Sequence, residues 1–144
     1  MATTSLASVR TALATVLSDA GYTVFKYGAN PDHAGRTFTV IGQIRVEQEP
    51  LTFADNRVEF LEVELVTYHK EGGRSETAAA AAETTVLGVV SAIETDLRGD
   101  ITLGGVVFNA EPATAYEVDV MADEDGWVFV ARHTVEVEVH LGAV

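Results

Sequence analysis

The sequence predicts an α+β domain in two layers: a mostly antiparallel sheet of long strands packed against two helices, in the order α-β-β-β-α-β-β-β. Three observations carry that reading. Residues 6–20 and 76–98 place apolar side chains at the i, i+3, i+4, i+7 spacing of one buried helical stripe. Residues 37–46 and 58–69 are rich in β-branched and aromatic side chains. From Trp127 to Leu141 one parity holds throughout: Trp127, Phe129, Ala131, His133, Val135, Val137, Val139 and Leu141 face one way, and Arg132, Thr134, Glu136, Glu138 and His140 face the other. The length, 144 residues, is that of one domain, taken as 1–144, and no stretch resembles a linker.

The first helix rests on Leu6, Val9, Leu13, Val16, Leu17 and Ala20. Thr4 or Ser5 supplies its N-cap and Gly21 its left-handed stop. A short extended piece, Thr23–Tyr27, precedes a Gly/Pro/Asp stretch, 28–36, that reads as loop. The strand Thr37–Val46 follows, then an interrupting segment, 47–57, then Val58–His69. In that last strand the apolar side switches from Val58 and Phe60 to Leu61, Val63 and Leu65, then to Val66 and Tyr68. The switch predicts bulges, or a strand covered differently along its length. Each of the prolines, Pro31, Pro50 and Pro112, reads as a loop residue.

Gly72-Gly73 closes the second strand, Ser75 is the expected N-cap of a helix over Glu76–Arg98, and Gly99 its stop. The large stripe of that helix is Ala82, Val86, Val89, Val90, Ile93 and Leu97. A second stripe carries only small residues: Ala81, Thr85, Gly88 and Ala92. It either admits a neighbouring backbone as a subunit interface, packs tightly on this chain's own sheet, or reflects plain helix propensity. Short strands are expected at Val106–Phe108 and Tyr116–Met121, and a turn at 122–126. Trp127–Leu141 would then run roughly 50 Å at about 3.3 Å per residue. A strand of that length is expected either to break at a bend or to pair in part outside the domain.

Composition removes several classes of function. Nine bases against 22 acids give −13, opposing any large nucleic-acid-binding surface. The charge is graded along the chain, from slightly positive in residues 1–36 to strongly negative after residue 100. There is no cysteine, hence no disulfide, zinc-thiolate site or thiol nucleophile. Uncharged runs are too short to span a bilayer, and no export signal opens the chain, so an intracellular, membrane-free protein is expected.

Candidate chemistry is thin. His133 and His140 are separated by an odd number of residues and point to opposite faces of a regular strand. His33 and His69 lack an i+4 partner. In an EF-hand frame ending its first half at Gly126, the acid positions fall on Met121 and Arg132, so that template fails and Asp125-Gly126 is better explained as hairpin-turn chemistry. The pairs Glu62/Glu64 and Glu136/Glu138 alternate with apolar residues, the pattern of a solvated sheet face. No serine sits in G-x-S-x-G, and no phosphate-binding glycine motif occurs. Neither a catalytic residue, a metal site nor a cofactor is expected. Leu51 and Phe53 stand out in a polar loop, either as an exposed contact tip or as a loop folded back over the core.

Taken together, the helix SLASVRTALATVLSDAG, the strand pair TFTVIGQIRV and VEFLEVELVTYHK, the alanine-rich helix ETAAAAAETTVLGVVSAIETDL and the terminal hairpin YEVDVMADEDGWVFVARHTVEVEVHL resemble the tail terminator, or tail-completion, proteins of long-tailed bacteriophages. The resemblance covers nearly the whole chain and rests on element order, size and the style of the last hairpin, so it transfers no individual residue. It implies a non-enzymatic virion protein, assembled in the bacterial cytoplasm, that forms a homo-oligomeric ring of typically six copies. Such a ring caps the tail tube protein, stops its polymerisation and meets the head–tail connector or stopper protein. DNA passes through its channel unbound. On that picture Glu62, Glu64, Glu136 and Glu138 are the expected channel-facing acids, repelling phosphate. Leu51 and Phe53 are the expected tube or connector contact. A tail tube subunit, a connector stopper and an acidic DNA-mimic module are the alternatives.

Overall fold

The computed structural model describes residues 6–28, 37–50, 57–73, 75–122 and 126–141. Helix α1 (Leu6–Asp19) buries Val9, Ala12, Leu13, Ala14 and Leu17. It ends in a Schellman turn. Gly21, at φ +103°, donates to the Ser18 carbonyl, and Tyr22 N–H donates to that of Leu17. The Tyr22 hydroxyl then reaches Asp96 Oδ2 at 2.7 Å, tying the exit of α1 to the second helix.

Strand β1 (Val24–Phe25) is short and pairs in parallel with β2 (Thr37–Pro50). Next come β3 (Arg57–Gly72), helix α2 (Glu76–Arg98), β4 (Asn109–Ala122) and β5 (Gly126–Leu141). They form one sheet in the order β1-β2-β3-β5-β4, antiparallel except for β1. Both helices lie on one face, which makes the fold α+β in two layers, as expected. Ser75 caps α2 by accepting from Ala78 N–H at 3.1 Å, and Gly99 closes its other end.

Parity assigns the faces. Leu61, Val63 and Leu65 of β3 and Val135, Val137 and Val139 of β5 point at the helices and are buried. They meet Val9, Leu13 and Leu17 of α1 and Ile93 and Leu97 of α2. A second, smaller core places Ala82, Val86 and Val90 of α2 on Phe129 and Ala131. Along β5, His133 falls between the two cores. It is buried, and its Nε2 lies 3.4 Å from Thr67 Oγ1, which in turn lies 2.9 Å from Thr39 Oγ1. Alongside, Thr37 Oγ1 meets His69 Nδ1 at 2.7 Å and His69 Nε2 meets Glu71 at 2.9 Å. A polar seam thus crosses three strands beneath α2.

Several expectations change. β5 does not break, and it needs no outside partner: it pairs with β3 from Gly126 to Leu141. β3 is also unbroken there, so its switching pattern reflects coverage and not a bulge. The register shift lies in β2, between Ile41 and Ile44. The interruption at 47–57 is shorter than its composition suggests, since β2 continues to Pro50. Val106–Phe108 is the end of the turn feeding β4, although Phe108 N–H already donates to the Glu138 carbonyl at 2.9 Å. Pro50 and Pro112 are strand residues, at positions whose backbone nitrogens point away from the neighbouring strand. The proposed caps Thr4 and Ser5, and Pro31, lie outside the described residues.

Candidate functional site: the open sheet face and its two edges

The sheet face away from the helices carries the acids. Register places Arg45, Glu62, Glu136 and Glu111 in one row across β2, β3, β5 and β4. The next row is Glu47, Phe60, Glu138 and Asn109. Glu64 stands opposite Thr134. The four acids singled out from sequence, Glu62, Glu64, Glu136 and Glu138, therefore share this face. Arg45 pairs with Glu47 at 3.6 Å, Arg132 with Asp119, and His140 with Glu138 at 2.9 Å. A small cleft of about 160 Å³ is lined by Gln43, Arg45, Glu62, Glu64 and Thr134. Among the described residues no group of three or more histidines or acids is arranged to hold a metal ion.

Glu136 has a carboxylate directly opposite on either side, Glu62 and Glu111. Like charges so placed destabilise a sheet by about 0.2–1 kcal/mol per pair. Glu136→Gln is therefore expected to raise stability by roughly 0.5–1 kcal/mol. Urea denaturation at low and high salt checks this, because the gain should shrink as salt screens the pair.

The ends of the same face are apolar or aromatic. Phe38 stacks on Tyr68 at 4.9 Å, Phe25 meets Phe38 edge-on, and Phe108 stacks on His140 at 4.1 Å. His140 is exposed while His133 is buried on the opposite face, as their odd spacing requires. The larger groove, about 710 Å³, lies between α1 and the turn after α2, where Gly104 N–H donates to Asp100. Its lining of Ala12, Val16, Leu103 and Val106 is largely apolar. No helix among the described residues is long and apolar enough to cross a membrane.

Ala81, Thr85, Gly88 and Ala92 are all exposed on the outer side of α2. A Cβ at Gly88 would meet nothing within 4 Å, so tight packing on the chain's own sheet is not what keeps this stripe small. Ala80, Thr84, Ser91 and Thr95 extend the same smooth surface. Leu51, Phe53 and His33 lie outside the described residues.

Sequence reasoning missed where the sheet is unfinished. β1 pairs only with Thr39 and Val40, and the outer edge of β2 beyond it has no partner strand among the described residues. β4 is the other edge. At its start Ala110 N–H is taken by the Ile101 carbonyl at 2.6 Å, and Pro112 has no N–H to offer. Past the register shift between Pro112 and Tyr116, the outer edge has no partner strand among the described residues. Tyr116, Val120 and Met121 are exposed there, as is Val46 on β2. The apolar parity of Tyr116, Val118 and Val120 was the available signal. No protein-family model matches this chain, and comparison with curated proteins finds no match.

Proposed function

We propose that this chain is a ring-forming structural subunit, a tail terminator that caps a phage tail tube and joins it to the head connector, with DNA passing through the lumen. The observation that carries the reading is the pair of sheet edges, at opposite ends of the strand order, that have no partner strand among the described residues. A sheet with two different open edges offers a head-to-tail contact, and head-to-tail contacts close into a ring when the rotation between copies closes. The acid-bearing face supports the second part. Turned inward, it would present Glu62, Glu64, Glu136 and Glu138 to passing phosphates and repel them. Six copies would carry roughly −78, a self-repulsion that strand pairing and apolar contact have to offset.

Native mass spectrometry and negative-stain electron microscopy of the full chain test this. The expected result is a closed ring of about six copies with an open channel. A strict monomer at high concentration contradicts it. Open-ended tubes would identify a tube subunit instead.

A further inference from the structure

We infer that the ring contact is a strand-to-strand junction: the outer edge of β4 in one copy adds to the outer edge of β2 in the next, with Tyr116 opposite Val46, Glu117 opposite Arg45 and Val118 opposite Ile44. This deepens the ring reading and rests on it.

Strand direction permits the junction. β4 runs antiparallel to β5, β5 to β3 and β3 to β2, so β4 and β2 point in opposite senses. A neighbour's β4 laid beside β2 therefore continues the antiparallel ladder with all helices on one side. Backbone phase permits it as well. Thr39 N–H points outward to the Thr23 carbonyl, and the register carries that phase across the shift to Ile44 and Val46. Ala110 N–H points outward to Ile101, and the same phase reaches Tyr116, Val118 and Val120. Both edges thus present outward donors and acceptors at the residues brought opposite each other.

Pro50 and Pro112 sit at outward positions and bound these stretches, while neither proline nor lysine blunts Ile44–Val46 or Tyr116–Met121. Side chains agree with the pairing. Val46 and Tyr116 are 36% and 44% exposed, both on the helix side, and would cover each other. On the opposite side Glu117 meets Arg45. Charge also selects this partner over a symmetric one: pairing β4 with a second β4 about Val118 sets Glu117 of each copy against Asp119 of the other, which is unfavourable. The occupant of the β2 edge is therefore the β4 edge of a second copy of this chain.

The absence of native cysteine makes disulfide trapping clean. Hydrogen-bonded antiparallel partners have Cα atoms about 5.5 Å apart, within disulfide reach. Under mild oxidation the double variant Val46→Cys/Tyr116→Cys is expected to give a ladder of covalent oligomers up to the ring number. Either single variant should stay uncrosslinked, and Val46→Cys/Met121→Cys, which is out of register, should crosslink at least tenfold less. Restoring association in a Glu117→Arg variant by adding Arg45→Glu would give independent support. Rings seen by mass spectrometry without the crosslink would overturn the junction and leave the ring standing. Dimers from Tyr116→Cys alone would replace it with a symmetric β4 contact. Monomers only would remove both the junction and the ring.

Discussion

Gly126→Ala is expected to destabilise the chain by about 3 kcal/mol or more, the scale of a steric clash that side-chain repacking does not relieve. Gly126 begins β5 and pairs with Gly72 at the end of β3. A Cβ built there would collide with the Glu71 carbonyl oxygen and lie 3.0 Å from that of Gly73. Both are backbone atoms, so the two central strands would have to separate at the end where they are anchored. Gly88→Ala is the matched control. Its Cβ enters open space on an exposed helix face, and it should stabilise the monomer by roughly 0.5–1 kcal/mol. Thermal and urea unfolding monitored by circular dichroism separates the two, and an unaffected Gly126→Ala would show that the strands do not approach as described.

Lowering the pH from 6.5 toward 4 is expected to remove roughly 3 kcal/mol of stability through His133 alone. Burial pushes its pKa down from 6.5 to about 4. In that window the unfolded chain binds the proton and the native chain does not, so stability rises with pH. It is fully present above about 6.5 and lost as pH falls to about 4. His133→Gln keeps a polar group beside Thr67 but does not titrate, and should flatten this part of the profile. Urea unfolding followed by the fluorescence of Trp127, the one tryptophan, reports it. Equal slopes in the two proteins would mean that His133 is solvated or charged in the native state.

How much of this could be read from the residues alone depended on whether the signal was local. The helix Glu76–Arg98 was legible because Ser75, Gly99 and the Ala82–Leu97 stripe are all local features. That Glu62 and Glu64 share a side of their strand, and Glu136 and Glu138 of theirs, was legible too, since alternation alone places each pair; the register puts both pairs on one face. Strand partners were not. Length made the Trp127–Leu141 strand look unfinished, yet β3 and β4 flank it and β3 pairs its full length, leaving the open edges on β2 and β4. Composition made Pro50 and Pro112 look like loop residues, because nothing local distinguishes a turn proline from one at the outward position of an edge strand. The seam of Thr39, Thr67 and His133 was hidden for the same reason: each looks ordinary within its strand, and only the register joins them.

Amide hydrogen exchange at the two sheet edges, compared between dilute and concentrated protein, examines the central claim most directly. Ile44, Val46, Tyr116 and Val118 should exchange quickly in dilute solution and become protected together as the protein assembles, while the protection of the β3–β5 ladder stays unchanged. Assembly that leaves those four amides exchanging as fast as before would contradict the account, whatever the size of the particle formed.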